Sequence, residues 1–207
     1  MVGSANTYLL DYNYGWGDPQ TDYEAKVLGQ DNRAIGLAPD NVQAYFVKAT
    51  YLGLSRRFNE ALGVADAGLA VNPNDIRLYS ARTHIELSLG RYDQAKADAQ
   101  RAIRLSPRDP QLGVFHVEAG AAELNLGHVE AAIDEYRKAI GSGLNTYYLY
   151  ANLAAAYALA GNMNEARSAL AEARRLNPKL TVKWMIEHNP NLPAVFEGVR
   201  KAGLPED

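Results

Sequence analysis

The chain holds four histidines, His84, His116, His128 and His188. They are the first residues to test for chemistry. A helical metal site needs a second ligand at i+3 or i+4 with an acid in support. None of the four has that neighbour. HVEAG at 116–120 and HVEAA at 128–132 look alike, but each falls at a fixed place in the repeat derived below, so structural or surface roles are expected for all four. The glycine-rich YGWGD at 14–18 lacks the G-x-G-x-x-G or G-K-S/T spacing of a phosphate loop, and no strand precedes it. It reads as a turn near the chain start. Glu130 and Asp134 stand i, i+4, as acids on a solvated helix face do. No local stretch assembles a nucleophile, a base and an orienting residue. No catalytic, cofactor-binding or metal-ligating residue is assigned, no cofactor is expected, and the chain reads as non-catalytic. An enzyme with an unrecognised, distantly assembled site stays open as an alternative.

Bulk properties narrow the classes further. The 207 residues are 47% hydrophobic with a formal net charge of -3, enough for one core or a stack of small ones. Basic runs are short and interleaved with acids, so no nucleic-acid footprint is seen. Cysteine is absent, which excludes disulfides, zinc–thiolate sites and iron–sulfur clusters and permits a reducing compartment. No apolar run approaches the roughly 20 residues of a spanning helix. MVGSANTYLL is a poor secretory signal, and a cytoplasmic location is expected. Ala and Leu abound while Phe and Ile are sparse, which suits close-packed helices.

The elements come from a period. Pro39, Pro73 and Pro107 are spaced evenly in AIGLAPDN, GLAVNPND and AIRLSPRD, and Pro178 closes ARRLNPKL. One short insertion, Pro110–Leu112, brings all into a register of five units: 8–41, 42–75, 76–109, 113–146 and 147–180. Position 20 of the units is Val27, Ala61, Ala95, Ala132 and Ala166; position 27 is Ala34, Gly68, Ala102, Ala139 and Ala173. Small residues at both places mean closely approaching helices. Gly90, Gly127 and Gly161 share position 15, where glycine just past a helix end signals a left-handed cap. Asp93, Glu130 and Asn164 follow, as capping residues of the next helix. Tyr150, Leu153, Ala154 and Tyr157 form an i, i+3, i+4, i+7 stripe. Each unit is helix, turn, helix, and stacking must bury what one pair cannot. Residues 1–22 carry Gly15, Gly17 and Pro19, which break a helix; they read as a degraded or truncated N-terminal helix or cap.

The markers resemble the tetratricopeptide repeat: aromatic at position 4, small at 8, aromatic at 11, small at 20, apolar at 24, Ala at 27 and Pro at 32. Unit 147–180 shows Tyr150, Ala154, Tyr157, Ala166, Leu170, Ala173 and Pro178. Unit 113–146 departs with His116 at 4, Glu123 at 11 and Leu144 at 32; unit 76–109 departs with Thr83 at 8 and Glu86 at 11. The resemblance implies an all-α, right-handed α-solenoid with a C-terminal capping helix, acting as a protein–protein interaction scaffold. It also implies that the first helix of each pair lines a concave groove through positions 2, 5, 9 and 12. On these or adjacent positions the candidate binding residues are Phe46, Arg77, Ser80, His84, Val117, Leu124, Tyr148 and Asn152. Arg77 and Asn152 do not complete the family's carboxylate clamp. The groove is polar in the middle and small and apolar later, which suits an extended or helical protein segment. Alternatively, residues 181–204 themselves cover the apolar half.

The repeat stops after Pro178, and residues 181–207 read as capping helices and a tail. Val182, Met185 and Ile186 form an apolar set beside Trp184. Pro193 opens a last helix over 194–202, whose Val195, Phe196, Val199 and Ala202 share a face. This helix is expected to cover the final repeat helix, 164–176, at Ala166, Leu170 and Ala173. The closing phrase EGVRKAGLPE, Glu197–Glu206, also resembles the C-terminal repeat region of bacterial class III adenylate or guanylate cyclase-like signalling proteins. That resemblance implies a regulatory part of such a protein, with homo-oligomerisation beneath a fused head as an alternative role.

Overall fold

In the computed structural model, residues 7, 22–188 and 191–207 are described. The expected cap over 1–22, with the Tyr14–Asp18 turn, lies outside the described residues apart from Thr7 and Asp22. All regular structure among the described residues is helical: α1 Tyr23–Leu37, α2 Val42–Leu54, α3 Phe58–Val71, α4 Ile76–Ser88, α5 Tyr92–Leu105, α6 Leu112–Asn125, α7 Val129–Gly141, α8 Tyr147–Leu159, α9 Met163–Leu176, α10 Val182–His188 and α11 Pro193–Ala202. The fold is a solenoid of helix pairs. The chain divides into two compact units after Ile85, a division inside α4 that the repeat register does not mark.

In the first unit, α1 packs on α2 and α2 on α3. Small residues set the spacing. A methyl group on Gly68 of α3 would lie 2.7 Å from the Leu78 side chain and 2.8 Å from Tyr45 Cβ, so nothing larger than hydrogen fits between these helices. The periodic Tyr and Pro are joined by one bond. The Tyr45 hydroxyl donates to the Pro39 carbonyl at 3.1 Å, and Tyr79 to Pro73 at 3.1 Å. Position 4 of one unit thus ties down position 32 of the unit before, satisfying a carbonyl left free beyond the helix end.

The turn glycines behave as expected: Gly90, Gly127 and Gly161 have φ of 72°, 85° and 85°. In unit 42–75 the same position is Arg56, at φ 59°, a conformation that a side chain makes costly. The expected acidic caps do not form. Arg57, Arg91, His128 and Asn162 are the N-cap residues of α3, α5, α7 and α9, and none makes a side-chain cap bond. Asp93 and Glu130 lie two residues past the N-cap, in the first turn, where they favour the positive end of the helix dipole instead.

Asp31 of α1 is fully buried. It occupies position 24, where the other units place Ala65, Ala99, Tyr136 and Leu170. Among the described residues neither carboxylate oxygen has a hydrogen-bond partner. Burial pushes its pKa up to about 7, against a smaller lowering pull from Lys48.

In the second unit, α5 through α9 stack in chain order, and α6 also meets α8. One buried cluster runs from Leu87 to Leu204. The terminal helix α11 contradicts the sequence expectation of a lid on α9. It packs chiefly on α8, with smaller contacts to α6, α9 and α10. Ala166, Leu170 and Ala173 of α9 are buried, and α9's principal partner is α8. The stripe is therefore satisfied within its own pair, and the tail is free to lie elsewhere. In α10, Val182 and Met185 are buried, but Ile186 is 45% exposed and leaves the expected apolar set. Trp184 takes its place, edge-on to Tyr147 at 5.4 Å and stacked on His188 at 4.3 Å.

Candidate functional site on the first-helix faces

The first helix of each pair is α2, α4, α6 or α8, and the candidate residues lie along them. In the first unit Arg77 and Phe46 are in contact. Arg77 is oriented before any ligand arrives. Its Nε and Nη2 donate to Asp75 Oδ1 and Oδ2 at 3.1 and 2.6 Å, and Asp75 is itself buried. A second Arg77 nitrogen, Nη1, donates to Gln43 Oε1. Its guanidinium lies 5.6 Å from the centre of the Phe46 ring, within cation–π range. Three fixed partners leave Arg77 little rotamer freedom to lose on binding. The paired charge holds Asp75 below its ordinary carboxylate range despite burial, and raises Arg77. Gln43, Phe46, Thr50, Arg77 and Ser80 are half-buried. Burial desolvates the His84 imidazole and lowers its pKa.

The second unit treats the same register positions differently. Val117 and Leu124 of α6 are buried, as are Ala121, Ala151, Ala155 and Asn152. Tyr148 is half-buried and edge-on to Tyr147 at 5.6 Å. All of these except Asn152 share a cluster with Val195, Phe196, Val199 and Ala202 of α11. The contact is close enough to be steric: a methyl on Gly198 would lie 2.6 Å from the backbone of Ala155. The small apolar half of the face is thus packed against the chain's own terminal helix. Phe46 and Arg77 stay together and half-buried in the first unit. Val117, Leu124 and Asn152 are buried.

Sequence reasoning missed several polar positions here. His116 and Glu123, which break the repeat pattern, are hydrogen-bonded to Glu135 and paired with Lys96, respectively. His116 Nδ1 lies 2.6 Å from Glu135 Oε2, and Lys138 reaches the other oxygen at 2.6 Å. Against the cost of its burial, these hydrogen bonds hold Glu135 below its ordinary pKa. Glu123 is buried between Lys96 at 2.8 Å and His128 at 2.7 Å. Among the described residues no group of three or more His, Cys, Asp or Glu is placed to hold a metal ion. No described helix is long and apolar enough to cross a membrane.

The paired helices share the fold of tetratricopeptide-repeat proteins of known structure. Residues 76–109 match the tetratricopeptide repeat family. Across 98 residues the chain is 36% identical to the Hsp70-Hsp90 organizing protein of Triticum aestivum, covering 47% of this chain and 16% of that protein. The chain therefore spans about a sixth of that relative's length. PilW, a type IV pilus biogenesis factor, shares the fold with a TM-score of 0.74 at 14% identity, over 95% of this chain and 90% of its own. A thermophilic tetratricopeptide-repeat protein from Thermus thermophilus does so at 0.69 and 20% identity, over 90% and 95%.

Proposed function

We propose that this chain is a non-catalytic interaction scaffold that binds a protein segment on the first-helix face of its first unit. One observation carries the reading. Gln43, Phe46, Thr50, Arg77 and Ser80, at positions 2, 5 and 9 of units 42–75 and 76–109, are half-buried, aromatic and polar, with Arg77 already fixed over Phe46 by Asp75 and Gln43. Aromatic and arginine side chains of low residual freedom are what binding hot spots are made of. The partner is an extended or helical segment that offers an apolar side chain to Phe46 and a carbonyl or carboxylate oxygen to the outer N–H groups of Arg77. The wheat relative, an organizing protein by name, supports an assembly role. The Glu197–Glu206 phrase supports a place in the regulatory part of a bacterial signalling protein.

The test is selection of peptides from a displayed random library against the full chain, followed by calorimetry. Phe46→Ala and Arg77→Ala are each expected to weaken selected peptides at least tenfold, about 1.4 kcal/mol. Tyr148→Ala in the second unit is expected to leave them unchanged. Selected peptides that bind both first-unit variants as well as the parent would refute this site.

A further inference from the structure

We infer that the face lined by α6 and α8 is a helix-binding surface and that residues 191–207 are its built-in ligand. In the repeat register, positions 5 and 9 of units 113–146 and 147–180 are Val117, Ala121, Ala151 and Ala155. All four are buried, whereas Phe46, Thr50 and Ser80 at equivalent positions of the first unit are half-buried. The cover is α11, a helix of about three turns presenting Val195, Phe196, Val199 and Ala202. Its crossing point is Gly198 on Ala155, where no larger side chain fits. Small residues on both helices let the backbones approach.

The bonds at either end of α11 are those of a docked ligand. Its free Ala194 N–H is capped by another helix: Asn125 Oδ1 of α6 accepts it at 3.0 Å, while Asn125 Nδ2 is anchored on the Ala121 carbonyl. The Tyr92 hydroxyl donates to the Asn191 carbonyl at 3.0 Å. At the far end Gly203, at φ 100°, turns the chain, and the Leu204 N–H bonds back to Val199 at 2.9 Å. That is the pattern of a Schellman cap, with buried Leu204 as its apolar contact. The Pro205 and Glu206 carbonyls then accept the Val182 and Lys183 N–H groups at 2.9 and 3.1 Å, satisfying the first turn of α10. The ligand class this surface recognises is an amphipathic helix with a glycine at its centre, apolar residues flanking it, and a free first-turn N–H for Asn125. Partners of the second unit must compete with this segment.

The test uses the full chain and a fluorescent synthetic peptide of residues 191–207. Gly198→Val forces α11 off Ala155. The expected result is loss of amide-exchange protection confined to α10 and α11, and peptide binding by anisotropy at least tenfold tighter than to the parent, whose surface is occupied. Adding Asn125→Ala to that variant is expected to weaken the peptide again. Val195→Asp combined with Val199→Asp is the second way of undocking the helix, altering only the ligand side, and should give the same gain in binding. The inference is overturned if neither undocked chain binds the peptide. It is also overturned if both lose protection throughout α6–α9, because α11 is then part of one cooperative core.

Discussion

Asp31→Asn should stabilise this protein, and increasingly so as the pH rises. The carboxyl is buried, lacks a hydrogen-bond partner among the described residues, and has its pKa raised from 3.8 to about 7. Between those two values the folded chain holds a proton that the unfolded chain has released. Stability is therefore greatest below pH 4 and falls as pH climbs through 7. At about 1.4 kcal/mol per pKa unit, the loss reaches about 2 kcal/mol at pH 5.5 and about 4 kcal/mol at pH 8. The amide cannot ionise and escapes this loss, though its own buried N–H groups cost roughly 1–3 kcal/mol if unpaired. The difference between the two proteins should thus widen by up to about 4 kcal/mol from pH 4 to pH 8 and then level off. Asp31→Ala, which copies Ala65 and Ala99 at the same repeat position, should abolish the same pH dependence. Urea unfolding at pH 4, 5.5, 7 and 8, read by amide exchange in α1 and α2, measures it. A constant difference across that range would refute the reasoning, as would a substitution that destabilises at pH 8.

Other perturbations isolate single effects. Gly127→Ala meets no atom within 4 Å at φ 85°, so its cost, about 1 kcal/mol in denaturant melts, is purely backbone strain. Arg56→Gly at the equivalent turn should act in the opposite direction, raising stability by about 0.5 kcal/mol. Removing the hydroxyl in Tyr79→Phe should cost about 0.5–1 kcal/mol, and a matching loss at Tyr45 should add to it, measured by the same melts. Leu204→Ala removes the apolar contact of the Schellman cap. It should cost about 2–3 kcal/mol, with amide exchange rising first in α11.

Much of this fold was legible in one dimension because its interactions are local and recur. The even spacing of Pro39, Pro73 and Pro107 becomes the Tyr45–Pro39 and Tyr79–Pro73 bonds, each spanning six residues. The small residues at position 27 become close helix approaches such as Gly68 against Leu78. The candidate site was legible only as a set of register positions. Spacing shows which side chains share a face, but not what lies on that face. Arg77 was named from its place in the register, yet its value comes from Asp75, Gln43 and Phe46, two of them about a full repeat away. Asp31 could have been found earlier: the same alignment that set the units places a carboxylate where every other unit has an apolar side chain.

The sequence alone determined that the chain is built of helix pairs and which residues of each pair face one another, since a helix stripe and a turn glycine are properties of neighbouring residues. Only the tertiary structure decided where the last helix lies. Val195, Phe196, Val199 and Ala202 specify an apolar face but not its partner, and both α8 and α9 offered alanine and leucine. The choice fell on α8 because α9 had already buried its stripe within its own pair. Gly198 could then meet Ala155 at backbone distance, and Asn125 stood 69 residues away with an acceptor for the free N–H of Ala194.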